Sequence, residues 1–406
     1  MRIVLIWIPV FTLMACGERG SEVRMPEDPK TSQYIGPHHT HHQKYSRYHF
    51  TTEAQWDSLN QVNDYEIPPT GTSRHPNYKV FAWHLYAKGT AYRGYDFNLM
   101  WAIAYFAYHI DPQTGSYRDI HQWKTTGLIT MAQGAKCKVL LTIANFGAQD
   151  NTAFLNNTQA QAVLADSLVT LLDLRGADGI NIDFEGIPGG SADKLSSFVK
   201  FISGELKAHN PNYLVTLALY AVDSHAVFDI QAIDQAVDFY TLMGYDYYGG
   251  FSDFAGPVSP LHPSDVFGQH SLSTSVEYYF GAGVAPSKLI AGLPYYGAEW
   301  QTDDMRIPSR AIKFISHHPY GSVQEVYVDS LKCAFHLDTL SSTAYAAFRD
   351  GDGTYRQVWY DDRTSLSRKY DWIRNTRLAG VGIWVPAYGQ DYTELWTLLG
   401  EKFGQH

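Results

Sequence analysis

The sequence predicts an α/β protein built as a (β/α)8 TIM barrel, and three observations lead to that prediction. Eight short apolar runs follow one another from Val80 onward. Segments with helical spacing of their apolar residues lie between several of these runs. The chain has 406 residues, of which 45% are hydrophobic and 18% charged. Such a chain can bury a large core, and barrels of this class reach this length through insertions.

The eight runs are short, rich in β-branched and aromatic residues, and too apolar to have one face in water. Parallel strands that are buried on both faces have this composition. The runs are residues 80–86, 99–110, 138–146, 179–185, 213–221, 237–248, 288–297 and 380–388.

Helical segments alternate with these runs. Thr158–Arg175 has Ala and Leu at helical spacing and stops before Gly176, a residue type that suits a helix C-terminus. Ala192–His209 is apolar along one face, and Ser191 is placed to cap its first turn. Two further helices are predicted at Thr364–Arg377 and Tyr392–Phe403. This alternation predicts a parallel sheet closed by helices.

Residues 299–358 are too many for a simple loop, and they predict a small α+β insertion between strand 7 and helix 7. The stretch AIKFISHH (311–318) is helix-like. Gly351-Asp352-Gly353 predicts a turn. Three strand-like pieces are residues 323–330, 343–350 and 354–360. We expect the insertion to lie on the top face of the barrel and to deepen one side of a cleft.

The first sixteen residues predict export. Arg2 is followed by the apolar run Ile3–Met14, which has signal-peptide length and is too short for a stable membrane span. The run ends in LMAC (13–16) and resembles the lipobox of bacterial lipoproteins, in which the cysteine, here Cys16, is lipidated. An ordinary signal peptide cut near Ala15 is the alternative. We therefore expect a cell-envelope lipoprotein facing the periplasm or the surface, or else a secreted protein.

Residues 17–75 are polar and Pro-rich, which predicts a linker, with partial packing on the barrel as an option. The linker leads to the barrel, assigned to residues 76–406. Four histidines of this segment are clustered, and clustered imidazoles can bind a metal. No cysteine or carboxylate frames the cluster, so we expect a solvated linker. The histidines are His38, His39, His41 and His42. No metal or cofactor is implied.

Composition restricts the partners of the chain. The formal charge of −10 argues against nucleic acid, whose phosphates require a basic surface. Beyond the first sixteen residues no apolar stretch approaches about 20 residues, so we expect membrane attachment only through the N-terminal lipid. We also expect the chain to be a monomer. Cys137 lies beside a strongly apolar segment, and we expect Cys137 and Cys333 to be free rather than paired.

The fourth apolar run contains the polar residues that indicate chemistry. Asn181, Asp183 and Glu185 alternate with apolar residues, so they lie on one face of a strand, the face toward the barrel interior. Successive members rise about 6–7 Å, which places Glu185 at the C-terminal mouth. Charges in a barrel core are costly, so the set predicts a functional site. A carboxylate metal site is an alternative, but only Asp246 could join it from another strand end.

Residues 178–185, DGINIDFE, closely resemble the DGxDxDxE signature of glycoside hydrolase family 18, the chitinase family. MGYDY (243–247) resembles the Met-x-Tyr-Asp motif that ends strand 6 of the family, and KLIAGLPYYG (288–297) is similar to its strand 7. Tyr360-Asp361-Asp362 and Trp384 resemble the family's approach to strand 8 and the tryptophan there. The resemblance covers about residues 79–403 and implies a barrel in which an insertion after strand 7 is common.

The resemblance implies a substrate-assisted glycosidase, in which the 2-acetamido group of the sugar attacks the anomeric carbon and one side chain transfers the proton. Glu185 is then the proton donor, Asp183 orients the acetamide and stabilises its positive charge, and Tyr245 hydrogen-bonds the acetamide oxygen. Substrate-binding roles are assigned to Asp246, Trp384, Asn181, Met243 and Tyr105.

Two departures from the chitinase pattern leave the substrate open. Asn181 stands where chitinases usually have an aspartate, and strand 3 reads TIANFG (142–147) in place of Ser-x-Gly-Gly. Both are closer to the family branch of bacterial spore-cortex and peptidoglycan glucosaminidases. The leading prediction is an exported hydrolase of β-1,4-linked N-acetylglucosamine in chitin or chitooligosaccharides. The alternatives are a peptidoglycan N-acetylglucosaminidase and an endo-β-N-acetylglucosaminidase acting on N-glycans.

A non-catalytic, lectin-like chitin-binding protein is the alternative from another class. Such proteins typically lose the acid, whereas Glu185, Asp183 and Tyr245 are all present in this chain. The three residues therefore favour an enzyme.

Overall fold

The structure, a computed structural model, describes residues 37–62, 71–389 and 392–405. The predicted signal peptide and the lipobox cysteine, Cys16, lie outside the described residues, so export stays a prediction. Among the helices that are described, none combines the length and the apolar character needed to cross a bilayer.

The strands of the described residues form one large sheet and two smaller ones. In chain order they are β1 Ser73–Arg74, β2 Lys79–Leu85, β3 Ala102–Ile110, β4 Tyr117–Asp119, β5 Lys138–Phe146, β6 Gly179–Glu185, β7 Leu214–Leu219, β8 Phe239–Met243, β9 Phe254–Ala255, β10 Leu289–Pro294, β11 Tyr296–Thr302, β12 Ser309–Pro319, β13 His336–Asp338, β14 Thr343–Arg349, β15 Tyr355–Tyr360, β16 Gly380–Trp384 and β17 Gly404–Gln405.

The α-helices of the described residues follow in the same order. They are α1 Pro37–Ser46, α2 Glu53–Asn60, α3 Leu128–Gly134, α4 Ala148–Leu155, α5 Thr158–Arg175, α6 Ala192–His209, α7 Ile230–Ile233, α8 Leu272–Ala282, α9 Tyr320–Val323, α10 Arg363–Asn375 and α11 Thr393–Phe403.

Eight parallel strands form the closed barrel that the sequence predicts. They neighbour one another in the order β2-β16-β10-β8-β7-β6-β5-β3, and pairing between β2 and β3 closes the ring. Each of the eight predicted apolar runs contributes one of these strands, and almost all of their residues are buried. The predicted (β/α)8 fold is confirmed.

The strand register decides which side chains enter the barrel. Asn181 pairs with Thr142 of β5 and with Thr216 of β7, and paired positions in parallel strands share a face. Asp183 lies one step above this layer, and Glu185 is the last residue of β6. The polar set therefore climbs toward the C-terminal mouth, where barrel enzymes place their chemistry.

The outer helices agree with the predicted bounds, with one local exception. α5 and α6 begin and end at the predicted residues, and α10 and α11 begin within one residue of their predicted starts. Gly176 follows α5 with a φ of 58°, the left-handed conformation that glycine adopts at low cost. Ser191 precedes α6, but its side chain makes no capping hydrogen bond, so that detail of the prediction is wrong.

The strands of the insertion after the seventh barrel strand, together with β9 from the loop that follows β8, form an antiparallel sheet in the order β13-β14-β15-β11-β12-β9. The predicted strands at 343–350 and 354–360 are β14 and β15, joined by the predicted turn. Residues 311–318 form part of strand β12 rather than a helix, because they pair along β11. Residues 323–330 are mainly helical instead of extended. Val323, Val326 and Tyr327 have the i, i+3, i+4 spacing of a helix, although their residue types favour a strand.

Helices α1 and α2 replace much of the expected solvated linker. Trp56 of α2 is almost fully buried against Tyr45 of α1 and Tyr86 of the barrel. The Asp57 carboxylate accepts hydrogen bonds from the backbone N–H and the hydroxyl of Thr90. These partners lie in barrel loops far away in the sequence. Composition alone could not reveal them, because a polar residue looks the same whether water or a distant loop satisfies it.

Cys137 is buried and Cys333 is partly exposed, and both are free thiols in the structure. Burial raises the pKa of the Cys137 thiol to about 12. A thiol with this pKa is protonated at neutral pH and behaves as a small apolar side chain.

A buried ion pair connects the insertion to helix α10. The Lys369 ammonium contacts the Asp361 carboxylate, and both side chains are shielded from solvent. Burial lowers the pKa of Lys369 and raises the pKa of Asp361, while the contact between the two opposes both shifts. Each charge is therefore tolerated in the interior only because the other is present.

We expect Lys369→Ala to reduce the free energy of unfolding by about 3–5 kcal/mol, because it leaves Asp361 buried without a cation. Urea denaturation followed by circular dichroism measures this change. Arg368→Ala, at an exposed position of the same helix, is the matched control and should change stability by less than about 0.5 kcal/mol. Equal denaturation midpoints for the two variants would refute the assigned role of the pair.

Candidate active site

Glu185 lies at the barrel mouth and is held there by its own backbone. Its carbonyl oxygen accepts hydrogen bonds from the Asn151 side chain at 2.8 Å and from the Gly147 N–H at 2.8 Å. The preceding carbonyl, of Phe184, accepts a hydrogen bond from the Tyr220 hydroxyl at 2.9 Å. The side chain of Glu185 is 1% exposed. The strand end is thus fixed from three sides, and the carboxylate position is set by the scaffold.

The ionisation of Glu185 is shifted by its surroundings. Burial, which removes water from the carboxylate, raises its pKa well above the ordinary value, and the negative charge of Asp183 acts in the same direction. Hydrogen bonds from the backbone N–H groups of His39 and His38 act in the opposite direction. A carboxyl group in this setting can hold a proton closer to neutral pH than a solvated glutamate, as a general acid must.

Asp183, Tyr245 and Trp384 converge on one point above the barrel core, and the imidazole of His38 occupies that point. His38 Nδ1 lies 2.7 Å from Asp183 Oδ2, and His38 Nε2 lies 2.6 Å from the Tyr245 hydroxyl. The ring stacks on the Trp384 indole with centroids 3.7 Å apart and an interplanar angle of 18°. Phe106 of β3 meets the same imidazole edge-on. These side chains form a small cup with an aromatic floor.

Helix α1 brings His38 into the cup by directing its N-terminus at Glu185. The N–H of His38 donates to Glu185 Oε1 at 3.0 Å, and the N–H of His39 donates to Oε2 at 2.9 Å. The first N–H groups of a helix have no partner within the helix and carry partial positive charge, so they bind carboxylates well. Hydrogen bonds of this kind to a charged group contribute about 1.5–3 kcal/mol each.

His39 makes a second stacking contact next to the first. Its ring lies 4.9 Å from the Phe146 ring, at an interplanar angle of 13°. Phe146 is paired with Glu185 in the sheet register, so it rises from the neighbouring strand at the same height. The mouth of the barrel therefore offers two aromatic platforms side by side, close to Glu185 and Asp183.

The remaining predicted residues divide into those near the cup and one that is elsewhere. Asp246 accepts a hydrogen bond from the Tyr296 hydroxyl at 2.5 Å and lies 3.6 Å from His317 Nε2. Asn181 lies below Asp183, where its side-chain oxygen accepts a hydrogen bond from the Thr216 hydroxyl at 2.9 Å. Met243 ends β8 and is buried.

The structure corrects the assignment of Tyr105 as a substrate-binding residue. Its hydroxyl accepts a hydrogen bond from the Gln122 N–H at 3.0 Å, and its ring packs against Trp123, whose indole N–H donates to the carbonyl of Leu171 in α5. Tyr105 therefore faces the outer helix layer. The next residue of β3, Phe106, faces the cup instead, as strand alternation requires.

The sequence pattern did not predict that helix α1 contributes residues to the site. The polar setting of the four clustered histidines favours a solvated linker, whereas His38 and His39 are seated in the barrel mouth. Phe146 was also missed, although it follows directly from the alignment of strands 3 and 4 at their C-terminal ends. The described part of the chain gives no side-chain information for His41.

Among the residues that the structure describes, two groups of side chains have the composition of metal sites. His38, Asp183 and Glu185 form the first group, in which the His38 imidazole contacts Asp183 directly and the His38 backbone N–H donates to Glu185. His42, His109 and His121 form the second, next to the cup. Burial lowers the pKa of His42 to about 4, and burial also lowers the pKa values of His109 and His121, so these rings are neutral at pH 7.

Comparison with known proteins shows what the chain is similar to. A sequence model described as "Glycosyl hydrolases family 18" matches residues 80–388. YdhD of Bacillus subtilis (strain 168), described as a sporulation-specific glycosylase, is 25% identical over 297 residues, which are 70% of this chain and 65% of YdhD. Chitotriosidase-1 of Mus musculus is 24% identical over 294 residues, which are 66% of this chain and 61% of the mouse protein. The chain thus spans less than two thirds of either relative.

Solved structures share the fold. A family 18 chitinase from Cycas revoluta in complex with (GlcNAc)3 superposes with a TM-score of 0.69 at 18% identity, covering 79% of this chain and 98% of the chitinase. A chitinase from Trichuris suis superposes with a TM-score of 0.71 at 21% identity, covering 80% of this chain and 100% of that one.

We expect the pKa of Glu185 to fall in Asp183→Asn, because the substitution removes the negative charge that disfavours ionisation of Glu185. Carbon-13 NMR of side-chain carboxyl groups, with Glu185→Gln used to assign the signal, measures the shift. Asp246→Asn is the matched control, since Asp246 exerts the weakest of the charge effects on Glu185. The idea fails if the Asp246 variant lowers the pKa as much as the Asp183 variant does.

Proposed function

Since the chain belongs to glycosyl hydrolase family 18 and is a chitinase-like glycosidase, we propose that it hydrolyses β-1,4-linked N-acetylglucosamine glycosides by substrate assistance, with Glu185 as the proton donor. The observation that supports this most directly is the arrangement at the barrel mouth. One buried carboxyl group with a raised pKa lies beside a second carboxylate, a phenol hydroxyl and an aromatic floor.

In the proposed first step, Glu185 gives its proton to the glycosidic oxygen as the bond to the anomeric carbon breaks. The acetamide oxygen of the same sugar forms the new bond to that carbon, and a cyclic oxazolinium ion results. Asp183 accepts a hydrogen bond from the acetamide N–H and stabilises the positive charge that develops on the acetamide. The Tyr245 hydroxyl positions the acetamide oxygen.

In the second step, Glu185, now a carboxylate, takes a proton from water as the water oxygen attacks the anomeric carbon. The bond to the acetamide oxygen breaks, and the product keeps the β configuration. One proton-transferring residue serves both steps, because the acid of the first step is the base of the second.

The position of His38 supports the assignment of the cup to an acetamido sugar. Asp183 as a carboxylate can only accept, so His38 Nδ1–H donates to it, and His38 Nε2 accepts from the Tyr245 hydroxyl. An acetamide presents the same pair, an N–H donor and an oxygen acceptor. The stacked ring of His38 covers the Trp384 face on which a pyranose would rest.

A cell-wall glycan is a second candidate substrate, because Asn181 and the strand 3 sequence depart from the chitinase pattern. YdhD, a relative described as sporulation-specific, also supports this candidate. Mass spectrometry of products from chitin oligomers, peptidoglycan and N-glycans, offered separately, decides between the substrates. Cleavage of peptidoglycan alone would favour the glucosaminidase alternative over chitin.

We expect Glu185→Gln to lower kcat for hydrolysis at least about 100-fold, because an amide cannot deliver the proton, whereas general acid catalysis contributes about 10²–10⁴-fold. Initial rates on chitin oligomers or peptidoglycan, whichever is cleaved, measure the loss. Tyr105→Phe is the matched control, and it should keep wild-type rates because Tyr105 faces the helix layer. Wild-type turnover by Glu185→Gln would remove Glu185 from the mechanism.

We also expect the first product released to be the β-anomer, because two displacements at the anomeric carbon restore its configuration. Proton NMR of fresh product, recorded before mutarotation, distinguishes the anomers. A first product with the α configuration would contradict substrate assistance.

A further inference from the structure

Three histidines from separate parts of the chain meet beside the active site. His42 lies on helix α1, His109 lies near the C-terminal end of β3, and His121 lies in the loop after β4. One ring nitrogen of each lies within 4.8 Å of the corresponding nitrogens of the other two. The cluster borders a cavity of about 440 Å³, which gives a small ion a route to it.

Two of these nitrogens have no partner. The Nε2 atoms of His109 and His121 are buried and make no hydrogen bond within the part of the chain that the structure describes. A buried polar atom without a partner costs about 1–3 kcal/mol. An electron-pair acceptor such as a metal ion would satisfy both atoms.

The surroundings of His121 orient it for this purpose. Asp119 accepts a hydrogen bond from the His121 backbone N–H at 2.6 Å, and its carboxylate lies 3.3 Å from His121 Nδ1. A proton on Nδ1 leaves the lone pair on Nε2. The Tyr86 ring stacks on the imidazole, with centroids 3.3 Å apart and an interplanar angle of 6°. The backbone of His121 has a φ of 48°, in the left-handed region that histidine visits more often than most residues.

We propose that His42, His109 and His121 form a Zn²⁺ site that fastens helix α1 across the catalytic cleft. Three clustered imidazoles suit zinc, which binds histidine nitrogen at about 2.0–2.1 Å in tetrahedral geometry, with water as the fourth ligand. The Asp119 carboxylate behind His121 is the outer partner that metal-binding histidines usually have. This geometry implies nitrogens roughly 3.3 Å apart, so zinc binding requires the three rings to rotate from their present spacing of up to 4.8 Å.

The site joins two parts of the molecule that could otherwise separate. His109 and His121 belong to the barrel, whereas His42 lies one helical turn from His38, the residue that fills the cup. Zinc binds completely only when α1 is docked, so it stabilises the docked state. If the cup is the sugar site of the proposed function, zinc and substrate oppose each other's binding, because α1 cannot be docked while a sugar fills the cup.

The metal site is tested on the full chain without reference to hydrolysis. After treatment with a chelator, we expect Co²⁺ to bind with the intense visible absorption of tetrahedral cobalt, and Zn²⁺ to displace it at one ion per chain. X-ray absorption of the zinc-loaded chain should count three imidazole ligands. An X-ray absorption spectrum that shows fewer than three imidazole ligands, or a visible spectrum typical of octahedral cobalt, would overturn the proposed site.

Variants distinguish this site from metal binding by the helix alone. His109→Gln and His121→Gln should weaken Co²⁺ binding at least about 100-fold, and Asp119→Asn should weaken it about 10–100-fold. His336→Gln, at an exposed position of the insertion, is the control and should bind normally. Circular dichroism verifies folding. Normal binding by folded His109→Gln would show that the histidines of α1 bind the metal without the barrel, and would overturn the proposal.

Hydrolysis then tests the consequence for activity. At zinc concentrations about 100 times the dissociation constant, we expect the wild-type rate at subsaturating substrate to fall up to roughly 100-fold. The rate of His42→Ala should not change with zinc. Zinc-insensitive hydrolysis by a zinc-loaded wild type would refute the fastening role. A complete lack of hydrolysis by all variants, with normal cobalt spectra, would instead count against the proposed function and leave the metal site standing.

Discussion

The structure of the active site depends on the burial of two carboxylates, Asp183 and Glu185, at the mouth of a closed barrel. Water is excluded from both side chains, so each must find protein partners or hold a proton. Backbone contacts fix the end of β6, and the N–H groups of His38 and His39 hold the Glu185 carboxylate. The raised pKa that suits a proton donor is therefore a direct result of where the barrel ends this strand.

Helix α1 contributes to this burial, because its first N–H groups lie on the Glu185 carboxylate. A desolvated carboxylate is a strong acceptor, and the first N–H groups of a helix are donors without partners. Joining them satisfies both, and the docking carries the imidazole of His38 between Asp183 and Tyr245. The features that would stabilise a sugar with its acetamide also stabilise this internal ligand. Competition between the chain and its substrate follows from the chemistry of the cup.

The trihistidine cluster adds a second connection between the same two parts. The hydrogen bonds at Glu185 can be replaced one at a time by water or by a sugar. A metal bound to both the helix and the barrel would keep the two together until the metal itself dissociates. Helix α2 contributes a further attachment, through the buried Trp56 and the hydrogen bonds of Asp57. The N-terminal segment thus has a fixed part on the barrel wall and a part over the cleft, and only the second has to move for a sugar to enter.

The sequence by itself determined the barrel and the identity of the reacting groups. Strand and helix periodicities are local, and the alternation in residues 179–185 places three polar side chains on one face without any knowledge of distant contacts. The eight strands, helices α5 and α6, and the positions of Asp183 and Glu185 were predictable for this reason, whereas Tyr245 came from the family resemblance. The family resemblance added Trp384 and Asp246.

Only the tertiary structure decided what lies against those groups. The docking of α1, the meeting of His42 with His109 and His121, and the outward direction of Tyr105 depend on contacts between residues far apart in the sequence. The insertion was misassigned at 311–318 and 323–330 for the same reason, because pairing with β11 and packing of a short helix outweigh local propensity. A polar, histidine-rich segment has no apolar pattern that predicts a docking face. Its partners become visible only when the barrel brings a carboxylate and two buried imidazoles to it.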